Sequence, residues 1–191
     1  MRPNRILTIP NIVTGLGILL TISYVLMYAT HTAEVLIPII VIIIGFSDVL
    51  DGLLARALNQ ESELGAFIDP LRDRLLMLAT IANILWVADG VNVVLVAYIL
   101  YAESIVVITN AFAKFKFKLN IKVHLVGKVR LLIHLASAWI FSVMVYWPNV
   151  WKNIKPAWPS VNINLLLSVM LTASILTAGM YLKKLISSFS K

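Results

Sequence analysis

Four aspartates, Asp48, Asp51, Asp69 and Asp73, lie within residues 48–73, DVLDGLLARALNQESELGAFIDPLRD, inside stretches that otherwise read as two apolar helices. Asp48 and Asp51 are three residues apart and Asp69 and Asp73 four apart, so each pair projects from one helix face. With a turn through the polar residues near Asn59 to Leu64, the midpoint of 48 and 73 is 60.5 and that of 51 and 69 is 60, which sets the pairs opposite each other at one depth. Carboxylates in hydrocarbon repel one another and cost at least ~2.5 kcal/mol each on insertion scales, so cations must compensate. Oxygen-only ligands at facing positions suit a hard divalent ion, Mg²⁺ or Mn²⁺, better than Zn²⁺, and four carboxylates suit two such ions. An internal salt-bridge network with Arg56, Arg72 and Arg74 is the structural alternative. Gly52 and Gly65 let a ligand or a neighbouring backbone come close.

The elements that hold these residues are membrane helices. The chain has 191 residues, 60% hydrophobic and 13% charged, with a mean hydropathy of +0.92, far more apolar than a soluble domain. Against the roughly 20 apolar residues that a hydrocarbon core requires, six segments qualify: 8–29, 34–57, 66–88, 91–114, 126–149 and 160–186. The expected fold is an all-α integral membrane protein of six transmembrane helices, with residues 1–191 forming a single domain. The absence of cysteine excludes disulfides and thiolate chemistry. Residues 1–7 carry no small-residue cleavage site, and the apolar run after them is too long for a signal peptide, so the first segment is expected to stay.

Orientation follows from the basic residues. With both termini inside, all of the 16 lysines and arginines except Lys152 and Lys155 fall on the inner side. This asymmetry predicts an N-in, C-in protein of the plasma (inner) membrane, with the aspartates toward the cytoplasm. The formal charge of +7 then reads as orientation and attraction to anionic lipid, and nucleic-acid binding is not expected. Tyr28, Trp86, Tyr146, Trp147, Trp151 and Trp158 gather at the opposite span ends, as an outer aromatic belt would.

Along the rest of the chain, Asn11 and Thr14 share a face at the start of the first span, either as cap and packing residues or as part of the aspartate site. His31 reads as solvated, and Asp89 as solvated or capping. Glu103, near the middle of the fourth span, should face the protein interior and have a partner, while His134 reads as a packed residue without a role. Residues 114–125, KFKFKLNIKVHL, fit an interfacial segment whose lysines snorkel toward headgroups, or part of a phosphate-binding funnel. Lys128 and Arg130 follow at the cytoplasmic start of the fifth span.

Asp48, Asp51, Gly52, Ala55, Arg56, Gly65, Asp69 and Asp73 fit D-x2-D-G-x2-A-R-x8-G-x3-D-x3-D, and on these residues the chain resembles the CDP-alcohol phosphotransferases, matching all eight fixed positions. The resemblance implies phospholipid synthesis: transfer of a phosphatidyl group from CDP-diacylglycerol to an alcohol, with release of CMP. It implies that Asp48, Asp51 and Asp69 bind two Mg²⁺ or Mn²⁺ ions, that Asp73 is a further ligand and the general base, and that Gly52, Ala55 and Arg56 contact the nucleotide. Asn11, Thr14 and Gly65 are grouped with that nucleotide and diphosphate end. A homodimer is implied as well. The chemistry asks for such parts: two cations about 3.5 to 4 Å apart neutralise a diphosphate, and a carboxylate near the acceptor hydroxyl takes its proton.

Within the family, Ile9-Pro10-Asn11 with Thr14, Asp69-Pro70, Glu103 and Gly127-Lys128 look most like phosphatidylglycerolphosphate synthases. That subfamily commonly has arginine where this chain has Gly17 and Ala102, and a small residue where it has Arg72; Asp73-Arg74 is reminiscent of phosphatidylinositol-phosphate synthases. Arg72, Arg74, Lys128 and Arg130 are surplus cations at the cytoplasmic mouth, and they point to a small phosphorylated acceptor, glycerol 3-phosphate first and inositol phosphate second. A cation-coupled transporter is the rival class, since intramembrane carboxylates also line ion pathways; it fits less well because no inverted repeat is visible.

Overall fold

A computed structural model of the chain describes residues 8–58, 60, 62–117, 124–154 and 162–189, and all regular structure among them is helical. The helices are α1 (Ile9–Thr30), α2 (Ile37–Ala57), α3 (Glu63–Val87), α4 (Val93–Phe117), α5 (His124–Tyr146), the short α6 (Pro148–Ile154) and α7 (Ile163–Phe189). Among the described residues, five stretches are long and apolar enough to cross a membrane: Ile9–Thr30, Glu34–Ala57, Val93–Ala113, Val126–Tyr146 and Ile163–Ser187. The expected third span is the exception. Its helix, α3, has 25 residues, but Asp69, Arg72, Asp73 and Arg74 lower the apolarity of its first half. The fifth helix ends at Tyr146, three residues short of expectation, because Pro148 opens a new helix. Arg2, Arg5, Lys118, Lys122, Lys155, Trp158 and Lys191 lie outside the described residues.

Contacts divide the chain into two compact units, residues 1–89 with 138–156 and residues 90–137 with 157–191. In the first unit α1 packs on α2 and on α3. The Thr8 hydroxyl accepts from the Asn11 amide to cap α1, and the helix stops at His31, which adopts the left-handed conformation at φ 55°. The buried face of α1 is Pro10, Thr14, Gly17, Thr21, Tyr24 and Tyr28, while Leu16, Leu19, Ile22 and Leu26 point outward. This small and polar inner stripe with an apolar outside is the pattern of a helix surrounded by lipid, where close backbone approach rather than hydrophobic burial joins the helices. Tyr28 is therefore on the wrong side for an aromatic belt. It is buried edge-to-face against Tyr24, ring centroids 5.3 Å apart, whereas Trp86 is exposed as expected. Asn83, fully buried on α3, donates to the Tyr24 hydroxyl at 2.8 Å and accepts from the Tyr146 hydroxyl at 2.6 Å.

In the second unit α4 packs on α7. Asn92 and Asn162 cap these helices by accepting from the Val94 and Leu165 amides, and Asn164 ties the turn at Gly90 to α7. Glu103 has the partners its position demanded: Arg130 of α5 and Ser174 of α7, the latter donating at 2.8 Å. His134 is buried and in contact with Ser174 at 3.1 Å. His31 is exposed but not merely solvated, since its Nδ1 lies 2.8 Å from Glu34.

Candidate active site

The carboxylates of the first unit are drawn together by two side chains from neighbouring helices. Thr14 of α1 lies between α2 and α3, its hydroxyl 3.0 Å from Asp51 Oδ2, 3.3 Å from Asp69 Oδ1 and 3.0 Å from the Pro10 carbonyl. A hydroxyl has one proton, so these three acceptors share it. Arg72 of α3 makes the second link. One terminal nitrogen donates to Asp48 and the other to Asp51 Oδ2, and the residue is 1% exposed. Asp51 is buried too, while Asp48, Asp69 and Asp73 are partly accessible.

This placement corrects the expectation for Arg72. Instead of standing at the mouth for an acceptor phosphate, its guanidinium is taken up by the aspartates. A buried cation one helix away from two carboxylates has no better partner. The other residues expected at the mouth have surroundings of their own. Arg74 donates to the Pro70 carbonyl at 2.7 Å, Arg130 is held by Glu103 in the second unit, and Lys128, also in that unit, is exposed.

The nucleotide residues show two kinds of surroundings. A side chain at Gly52 would meet nothing within 4 Å, so the α2 surface there is open, and the exposed Arg56 beside it donates through Nε to the Gly52 carbonyl at 3.0 Å. Ala55 is half-buried. Gly65 is crowded instead: a Cβ there would lie 2.7 Å from Asn11 Oδ1 and 3.1 Å from Ser62 Oγ. Ser62 caps α3 by accepting from the Gly65 amide and donates to Asn11 Oδ1, both at 2.9 Å. Gln60 accepts from the Ile9 amide at 3.1 Å. Ser62 and Gln60 thus fasten the α2–α3 turn to the start of α1. Ser62 was legible as a helix cap three residues before Gly65; nothing local marked Gln60.

Two carboxylates, Asp48 and Asp51, hold the buried Arg72, and Asp69 meets Thr14; carboxylate oxygens are the donor type that Mg²⁺ or Mn²⁺ takes. No three Asp, Glu or His side chains among the described residues are arranged to hold a metal ion.

The family profile of the CDP-alcohol phosphatidyltransferases matches residues 7–180. Proteins of Mycobacterium tuberculosis and Mycobacterium bovis, named provisionally as cardiolipin synthases, are 40% identical to this chain over 74 residues, 39% of this chain and 35% of theirs. A Streptomyces coelicolor protein named cardiolipin synthase (CMP-forming) is 34% identical over 91 residues, 45% of this chain and 42% of its own. The matched stretches thus span about two fifths of these relatives' lengths or less.

Proposed function

The chain belongs to the CDP-alcohol phosphatidyltransferase family, and from that premise we propose that it transfers a phosphatidyl group from CDP-diacylglycerol to a glycerol hydroxyl and releases CMP. The observation that carries the reading is the convergence of carboxylates from α2 and α3 on Thr14 and Arg72, which gathers Asp48, Asp51 and Asp69 of the motif into one site. Asp48, Asp51, Asp69 and Asp73 would hold two Mg²⁺ or Mn²⁺ ions, which supply charge neutralisation for the diphosphate and the departing CMP. Arg56, exposed beside the open surface at Gly52, clamps the donor's phosphates through charge-assisted hydrogen bonds, with Ala55 on the same helix face. Asn11 and Gly65 hold the turn against α1 at the nucleotide end. Asp73 takes the acceptor's hydroxyl proton as that oxygen bonds to phosphorus and the bond to CMP breaks. In this reading α3 is the sixth span, at about 1.5 Å per residue long enough for a ~30 Å hydrocarbon core, with its charges on the inner face. Both termini and the site face the cytoplasm, the membrane is the plasma (inner) membrane, and the protein is a homodimer.

For the acceptor, the relatives' name favours cardiolipin as product. Cardiolipin less one phosphatidyl group is phosphatidylglycerol, so that lipid is the acceptor we put first. The pairing of Arg72 with Asp48 and Asp51 favours it too, because it takes up a cation that a small dianion would use. Glycerol 3-phosphate is the second reading, with inositol phosphate after it. Purified protein with CDP-diacylglycerol and Mn²⁺ is offered each of these acceptors, and CMP and lipid products are identified by mass spectrometry. Cardiolipin formation supports the first reading, and consumption of a phosphorylated small alcohol alone supports the second. No CMP with any acceptor refutes the transferase and returns the chain to the transporter class.

A further inference from the structure

The reaction proposed above gives Arg72 no part, although it lies at the centre of the carboxylates. A guanidinium keeps its proton in proteins, so a permanent cation is held here by Asp48 and Asp51. Its seat involves a third helix. A Cβ at Gly17 of α1 would lie 3.0 Å from Arg72 Cδ, 3.2 Å from Nη1 and 2.9 Å from Ser47 Oγ, so a side chain at residue 17 would press on the arginine arm and make it give by a few tenths of an ångström. Asp51 Oδ2 already accepts from Arg72 Nη1 at 2.5 Å and from Thr14 Oγ1 at 3.0 Å, which takes up that oxygen's lone pairs.

From this geometry we infer that Arg72 competes with divalent metal for Asp48 and Asp51, so that metal enters only where the guanidinium has swung away and Arg72 sets the affinity of the site. The inference rests on the metal-dependent reading above. The guanidinium holds Asp48 Oδ1 and Asp51 Oδ2, and a metal ion on the same two carboxylates would repel it at contact distance. The apparent dissociation constant is then the intrinsic one divided by the fraction of molecules with an open cluster; an open fraction of about a tenth weakens binding about tenfold. Without metal, the guanidinium keeps two close carboxylates from repelling each other.

The test uses the full chain in detergent micelles, stripped of metal and titrated with Mn²⁺ while electron paramagnetic resonance counts the free ion. Arg72→Met keeps much of the stem and removes the charge. It is expected to bind Mn²⁺ about tenfold tighter than wild type, and saturating Mn²⁺ should raise its unfolding temperature more than that of wild type. A purely structural role would produce loss of binding with loss of fold, so a gain separates the two. If Arg72→Met does not fold, Gly17→Ala decides: it keeps the guanidinium but crowds its path, and should tighten Mn²⁺ binding by a smaller factor. Unchanged or weaker Mn²⁺ affinity in the deciding variant, with wild type binding Mn²⁺, overturns the inference alone. Absence of Mn²⁺ binding in every form overturns the metal reading and the inference with it.

Discussion

Asp73 and its neighbours Asp48, Asp51 and Asp69 differ in what their loss should do, because a general base is used after the donor has bound. Asp73→Asn is expected to abolish CMP release while CDP-diacylglycerol binding stays within a few-fold of wild type. Asp48→Asn, Asp51→Asn and Asp69→Asn should each lower CMP release by about a hundredfold or more and weaken Mn²⁺ binding, with chelator removing what remains. Full turnover in any of the four, or turnover insensitive to chelator, would count against the two-metal reading. Thr14→Val keeps the shape of the side chain and removes the one proton shared by Asp51 and Asp69. It should cost about 1 to 2 kcal/mol of stability, read by unfolding in mixed micelles, and slow CMP release.

Among the described residues, helices bury polar groups such as Thr14, Asn83, Ser142 and Ser174 beside apolar ones such as Ile44, Ile84 and Phe141, while many other large apolar side chains face outward. That makes the buried polar groups the points at which an element is held. The Asn83 side chain joins α3 to Tyr24 of α1 and Tyr146 of α5, and Asn83→Leu takes this partner from one buried and one partly buried hydroxyl. A loss of about 2 kcal/mol is expected, seen as a lower detergent unfolding midpoint, with metal affinity at the distant carboxylates unchanged. The start of α3 at Glu63 and the end of α5 at Tyr146 each lie three residues from the expected 66 and 149, although the Ser62 cap and Pro148 are local signals that mark them. The apolarity of α3 was not legible, since a helix lined by four charges within six residues is membrane-compatible only when other helices supply their partners.

At the scale of the whole molecule, the bias of basic residues sets a topology that can be checked directly. The chain has no cysteine, so Lys118→Cys and Lys152→Cys each place a single thiol. An impermeant thiol reagent on intact cells should label Cys at 152 and spare Cys at 118 until the membrane is opened; the reverse would invert the proposed N-in, C-in arrangement. The class of the protein and its acidic motif were determined by sequence alone, because hydropathy and helical spacing are properties of one segment at a time. Spacing also told which face of α2 and α3 carries the aspartates. It did not tell which cation reaches them. The packing of α1 against α2 and α3, with room beside Gly17, is what brings Arg72 onto Asp48 and Asp51. Likewise Tyr28 read as a belt residue until Tyr24 covered it, and Glu103 had no named partner until α5 and α7 brought Arg130 and Ser174 to it. Pairing across helices depends on depth and rotation, quantities that tertiary packing decides and no single helix encodes.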